Sequence, residues 1–399
     1  MGEPSLWQLR GERTSFPTAK ADIAADVVVV GAGVTGCACA RRLAREGVSV
    51  AVIDGREVAA GASGRNGAFA STGTGLAFDR LVERVGLEPA VAVQELTESA
   101  MDEMLALAQS AGAPGAVRRT GSVWLAAPDE VETVESAIAA LTSAGFRCRI
   151  DRTAVPERMR PWYPLAAVVD ADGALLPAEW VRTLAAAAAT AGAAIYEHTP
   201  ATALTADGDG WVVTLAGGPT ARGSAVVIAS DGLMPALVPD LERVVHPVRG
   251  QVLATEPLDD TVITRPTHSD HGFLYYRPTP DSRVTLGGGR LADIDAEYTT
   301  VEQTSMPVQA ALEEFLSERL GIDAHRITHR WAGIMGFSAD MLPVVGEIPQ
   351  KPGLWVCGGY SGVGNVPGFA LGQLVADRIV GAPPTLVSRA LNVTRFVGE

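Results

Sequence analysis

Positive charge is in short supply. The chain has 32 Lys and Arg against 46 Asp and Glu, a net charge of −14. Such a surface repels nucleic-acid phosphates and anionic lipid headgroups, so neither is expected as a partner. Cysteine is scarce: Cys37, Cys39, Cys148 and Cys357 form no CxxC pair and no metal-ligand spacing. Cys37 and Cys39 fall on different helix faces, and all four read as small buried apolar residues. The six histidines offer two pairs. His325 and His329 are four apart but lie in RITHRWAG, which reads as a strand; His268 and His271 flank Asp270 in a loop. No further ligands lie near either pair, so no metal is expected. Long apolar runs are missing too. LAAAAATAGAA, 184–194, is too short to cross a bilayer and reads as a buried helix. The first twenty residues have no apolar signal core, and a cytoplasmic protein is expected.

What is present is a globular composition, 47% hydrophobic and 20% charged, over 399 residues. That length calls for two domains, or one domain inserted into another. DVVVV, 26–30, is an apolar β-branched run of the kind buried on both faces of a parallel sheet. GAGVTG follows, then a helix ended by Gly47, then a second buried strand in VSVAVID, 48–54. This is a βαβ unit. Helices are expected over 89–112, 129–144 (capped by Asp129), 178–192 and 300–320, with paired strands turning at Gly121 and a hairpin over 202–217. SAVVIAS, 224–230, is again a buried strand. From 245 the alternation is that of an antiparallel sheet, and after 330 the strand, glycine turn and helix pattern returns. The nucleotide-binding domain is therefore expected over 22–85, 165–235 and 330–385, and the substrate domain over 86–164 and 236–329.

Three glycine-rich segments carry the chemistry. Gly31, Gly33 and Gly36 fit G-x-G-x-x-G between a strand and a helix, with Val34 and Thr35 opening the helix. Gly31 permits the tight turn, Gly33 lets the backbone approach a pyrophosphate, and Gly36 lets helix and strand pack. The helix N-terminus offers N–H groups to phosphate, and Asp54, followed by Gly55 and Arg56, can accept from ribose hydroxyls. GASGRNGAFAS, 61–71, keeps an open backbone beside possible donors at Ser63, Arg65 and Asn66. A nicotinamide fold needs no such loop, whereas a flavin does. CGGYSGVGNVPG, 357–368, can aim N–H groups and a helix dipole at a flavin edge that gains negative charge on reduction.

Together with HGFLYYRP and WAGIMGFSADMLPVVG, these segments resemble the family of D-amino acid oxidase, glycine oxidase, sarcosine oxidase and γ-glutamylputrescine oxidase. ASGRNG, and SLW near the start, look most like the γ-glutamylputrescine oxidase branch. The resemblance covers the chain from about Trp7 to about 385. It implies an α/β fold, a Rossmann-type FAD-binding domain with an inserted α+β antiparallel-sheet substrate domain. It implies FAD held by the three segments above, through Ala62, Ser63, Arg65, Asn66, Gly67, Ala201, Gly333, Gly359, Tyr360, Ser361, Gly362, Val363, Gly364 and Asn365 as well as the first motif. It implies oxidation of a C–N bond of a small amine or amino acid, with hydride passing to flavin N5, the imine hydrolysed, and O2 reduced to peroxide.

The chain also departs from that pattern. Met335 stands where glycine oxidase-like members have a carboxylate-binding arginine. Val366 and Thr285 match lysines of sarcosine oxidase-like members, and no cysteine lies near the WAG segment, so FAD is expected to be non-covalent. Phe273, Tyr275 and Arg277 share one strand face by period two; Tyr275, Arg277 and Met335 are the expected substrate-facing residues, with Arg249 and Arg65 as further cations. An amine or modified amino acid is the expected substrate. A dehydrogenase using another acceptor, and a flavin-binding subunit without catalysis, are the alternatives.

Overall fold

The computed structural model describes residues 2–11, 13 and 15–396. Its first layer is a six-stranded sheet, in the order Ala194–Tyr196, Val50–Ile53, Val27–Val30, Ala225–Ile228, Leu354–Gly358 and Val344–Glu347; the last strand is antiparallel, the rest parallel. Alternate residues feed two cores, which is why these strands are apolar throughout. Val27, Val29, Val50 and Val52 face the helices, while Val28, Val30, Ala51 and Ile53 face a small sheet that includes Trp211 and Val213. The helices Val34–Arg45 and Asn365–Ile379 approach so closely that a Cβ on Gly372 would lie 2.4 Å from Thr35 O.

The second layer is an eight-stranded sheet. Its order is Ile327–Ser338, Val245–Thr255, Val284–Gly288, Leu274–Pro278, Thr267–Ser269, Ser122–Ala126, Leu165–Val169 and Cys148–Ile150. The Met306–Glu318 helix covers one face through Val308, Leu312, Phe315 and Leu316. The other face looks towards the first layer and carries the site. Boundaries placed at 165 and 330 cut through this sheet, because Leu165–Val169 and Ile327–Ser338 both belong to it.

Two local expectations need correction. Val117–Arg119 and Ser122–Ala126 do not pair with each other: the first joins a three-stranded sheet beside Gly173–Leu175, and the second joins the large one. The chain changes sheets at Gly121, which has φ +69°. The Val131–Ser143 helix is capped at Glu130 rather than Asp129. Glu130 is buried, and its carboxylate accepts from Ala127 N and His271 N, at 3.0 and 2.9 Å. Among the described residues no helix is long and apolar enough to cross a membrane, and no group of three His, Cys, Asp or Glu is placed to hold a metal.

Candidate functional site

The site has two parts, a glycine cradle and a pocket, joined by residues 61–67. In the cradle, a Cβ on Gly36 would lie 1.9 Å from Gly31 O, and one on Gly33 would lie 2.9 Å from Ser63 Oγ. Gly31 takes φ +113° against Ala229 O. Ser63 Oγ accepts from Val34 N, the first residue of the helix, at 3.1 Å. Asp54 closes the second strand; its carboxylate accepts from Ala32 N (2.7 Å) and Arg56 N (2.8 Å). Burial raises Asp54 above the ordinary carboxylate value, and those bonds oppose the rise. Gly55 sits against Pro200, which places Ala201 at this end as well. Arg56 is held by Glu302 at 2.6 Å. Ser230 Oγ, beside Gly31, is buried without a hydrogen-bond partner among the described residues. A helix N-terminus whose N-cap glycine supplies no side-chain bond, a carboxylate with free lone pairs and an orphan hydroxyl fit a dinucleotide such as FAD.

The pocket has a volume of about 400 Å³. Ala62, Arg65, Asn66, Gly67, Gly333, Met335 and Tyr275 line it, as do all of Ser361, Gly362, Val363, Gly364 and Asn365. The last five form the turn that starts the Asn365–Ile379 helix, whose N-cap Gly364 provides no side-chain bond. Asn66 and Asn365 tie the two loops together: Asn66 Nδ2 donates to Asn365 Oδ1 (3.0 Å), and Asn365 Nδ2 donates to Phe69 O (2.7 Å). Tyr275 lies over bare backbone. Cβ atoms on Gly67 and Gly287 would fall 2.6 and 2.3 Å from its ring, and one on Gly250 would meet Met335 Cε at 2.8 Å and Tyr275 Oη at 3.5 Å.

Other expected residues stand outside the pocket. Tyr360 turns its hydroxyl into the helix pair, 2.7 Å from Thr35 Oγ1. Gly359 N donates to the half-buried Asp231, which also accepts from Gly336 N at 2.7 Å. Val366, the expected lysine equivalent, is fully buried in the core below the turn. Thr285 is buried opposite Arg277, with its hydroxyl unpartnered among the described residues. Cys37, Cys39 and Cys357 are buried thiols whose pKa values burial raises, that of Cys357 to about 12; none lines the pocket.

The cations decide what the pocket can hold. Arg277 shares the strand face of Tyr275 as expected, but that face runs on past the pocket. Its guanidinium donates to Ala68 O and Leu175 O, both at 2.8 Å, and lies 5.6 Å from the Trp7 ring centroid. Burial, with Arg118 and Arg10 nearby, pulls its pKa down to about 9. It fastens backbone and does not reach the pocket. Arg249 pairs with the buried Glu297 at 2.6 Å. Arg65 spends its guanidinium on Ala60 O, Glu3 O and Ala332 O. Arg290, which sequence reasoning missed, is different. It lines the pocket with its guanidinium between Phe273 and Phe337, 4.9 and 4.5 Å from the ring centroids. It makes no side-chain hydrogen bond or ion pair among the described residues, and burial pulls its pKa down. Only its place after a glycine run, GGGR, could have signalled it.

Neutral groups complete the lining. Burial pushes Tyr275 up to about 12, against the charge of Arg290, and brings His268 down to about 4. Asp172 is the one carboxylate among the described lining residues. Burial raises its pKa, and its oxygens accept from Thr72 N and Oγ1, and from Ser122 Oγ.

The chain resembles known proteins over nearly its whole length. A family model described as DAO, FAD dependent oxidoreductase, matches residues 26–378. The probable oxidoreductase OrdL of Rhizobium meliloti is 28% identical, over 97% of this chain and 90% of its own. The γ-glutamylputrescine oxidoreductase of Escherichia coli is 25% identical, over 92% and 86%. The crystal structure of glycine oxidase from Geobacillus kaustophilus superposes with a TM-score of 0.80 at 22% identity, covering 94% of this chain and all of the other.

Proposed function

The chain belongs to the family of FAD-dependent oxidoreductases, and we propose that it oxidises the C–N bond of an amino acid whose carboxylate sits on Arg290. The observation that carries this is the state of that guanidinium: drawn into the pocket, stacked between two rings, and without an anionic partner among the described residues. A desolvated charge calls for a counter-charge, and a planar carboxylate matches the fork of an arginine. This narrows the expected amine or modified amino acid to a substrate that carries a carboxylate.

FAD, when bound, supplies the two-electron acceptor that lets the C–N single bond become an imine for water to hydrolyse. The chain's own part is binding and desolvation. Arg290 holds the carboxylate. Tyr275, protonated at any ordinary pH, has a hydroxyl to donate to a carboxylate oxygen beside the Met335 wall. No lining group is assigned as a base for the α-proton: Asp172 already accepts three hydrogen bonds, Tyr275 is protonated, His268 is too weak a base, and His271 is engaged by Asp129 at 3.1 Å. The substrate nitrogen must therefore be neutral when it reacts. Burial and the Arg290 charge both favour that form, and the hydrogen then leaves with its electron pair.

Anaerobic titration of the purified flavoprotein with both enantiomers of phenylalanine, and with 2-phenylethylamine, tests the reading. Bleaching by an amino acid and much weaker bleaching by the amine is the expected result; the reverse order overturns it. Oxygen is the proposed second substrate, supported by the oxidase activity in the neighbour's name. Prompt return of colour on admitting air is expected, and a slow return would point to another acceptor.

A further inference from the structure

The pocket does not stop at the anchor. From Tyr275 it runs across one face of the large sheet, over residues that stand opposite one another in register. Gly287 pairs with Tyr275, Tyr275 with His268, His268 with Trp124, and Trp124 with Ala167. Neighbouring strands lie about 4.8 Å apart, so the path from the Tyr275 strand to the Leu165–Val169 strand is about 14 Å. Tyr275 leans over Gly287, away from His268, which leaves the floor beyond it open. His268 and Trp124 continue that floor as a stacked pair, 5.3 Å between centroids at 37°. The roof comes from two helices, through Phe78 and Leu81 of Phe78–Val85 and Ile138 and Leu141 of Val131–Ser143. The floor and roof side chains named here are uncharged, His268 being neutral above about pH 4, while Asp172, bonded to Ser122 of a floor strand, and His271 add polar groups to the same lining.

We infer that this arm is a side-chain pocket, and that the substrate is an amino acid with a large aromatic or extended aliphatic side chain. This rests on the carboxylate reading above, which fixes one end of the substrate at Arg290. A small substrate would leave some 14 Å of apolar channel in contact with water. A phenyl or long alkyl group fills it, and the His268–Trp124 pair offers a flat face for a ring to stack on. Burying several methylene equivalents favours phenylalanine over alanine by about a hundred-fold in kcat/KM.

Ala137 faces the arm from the Val131–Ser143 helix, and two variants of opposite sign test the proposal. Ala137→Phe is expected to lower the phenylalanine-to-alanine ratio of kcat/KM by about thirty-fold, by filling the arm. Ile138→Ala, which adds space and gives up the packing of a buried side chain, is expected to move the preference towards longer chains in the protein that folds. An equal fall for all substrates in Ala137→Phe, with no change of preference in Ile138→Ala, would make the arm an entry route and overturn the inference. So would a wild-type preference for glycine or alanine that neither variant alters; the carboxylate reading would survive both results. Reduction by 2-phenylethylamine but not by phenylalanine would sink the carboxylate reading and the amino-acid assignment with it, and still leave the arm as the seat of the ring. No reduction by any of them overturns both.

Discussion

Arg290→Met removes the charge and keeps a long flexible side chain between Phe273 and Phe337. In the free protein the guanidinium has no hydrogen-bond or carboxylate partner among the described residues. The fold therefore loses two partly exposed cation–π contacts, about 0.5–1 kcal/mol each, against sulfur–aromatic contacts of similar size. Stability should barely change, with Tm within about 3 °C of the wild type. The effect on substrate is another matter. Truncating one side of a partly desolvated charge pair costs about 2–3 kcal/mol, so kcat/KM for phenylalanine should fall about 30- to 150-fold. The amine 2-phenylethylamine has no carboxylate to lose, and its kcat/KM should hold or rise. Stopped-flow measurement of flavin bleaching with both compounds gives the comparison, and the visible spectrum shows that flavin content is intact. A fall of less than about three-fold for phenylalanine, or an equal fall for the amine, would refute the assignment of Arg290 as anchor.

Further outcomes follow from the cradle, the Asp231 carboxylate and the neutral imidazole. Gly33→Ala meets only the hydroxyl of Ser63, so the protein should fold and retain FAD less well on gel filtration; Gly36→Ala puts a Cβ 1.9 Å from Gly31 O and should abolish soluble protein. Asp231→Ala leaves Gly336 N and Gly359 N without their acceptor, and a loss of about 2–4 kcal/mol should appear as a lower urea midpoint. For His268, burial lowers the folded pKa from 6.5 to about 4. The stability contributed by the neutral ring is thus complete above pH 6.5 and drains away as pH falls towards 4. The full shift would be worth about 3 kcal/mol, and pocket exposure of the ring reduces this to about 1–2 kcal/mol. His268→Phe keeps the stack on Trp124 and should flatten the urea midpoint between those pH values; an unchanged slope would mean that His268 is already solvated.

The nucleotide-binding half was legible because its signals are local. A run of four valines, three glycines at fixed spacing and an aspartate at the end of the next strand each state their role within a few residues. The structure brings them together at one strand end, with Asp54 accepting from Ala32 N in the first glycine turn. The second half was legible only in type. Alternation in FLYYRP assigned Phe273, Tyr275 and Arg277 to one face, and that is where they lie, but periodicity says nothing about where along a face the pocket ends. It ends at Tyr275, and Arg277 is spent on the carbonyls of Ala68 and Leu175, residues no local pattern connects to it. Gly121 misled in the same way, since a glycine that turns a hairpin and one that carries the chain between two sheets read alike.

The anchor was illegible for a related reason. Arginine is identified as a ligand by what it lacks, and absence of partners is a property of three-dimensional neighbours. Arg249, Arg65, Arg277 and Arg290 look equivalent in a sequence; three are consumed by Glu297 or by backbone carbonyls, and the fourth is left between two rings. The space it faces is also made of absences. Gly67, Gly250 and Gly287 come from three remote segments, and each would strike the Tyr275 ring or hydroxyl, or Met335, if it bore a side chain. Met335 and Arg290 then read as one exchange. With an apolar side chain in the wall where relatives of the glycine oxidase type are expected to carry the cation, the charge enters from the glycine turn after the Val284–Gly288 strand instead. A carboxylate held from that side leaves the sheet face beyond Tyr275 free for the rest of the substrate, so the position of the anchor and the length of the arm are consequences of the same rearrangement.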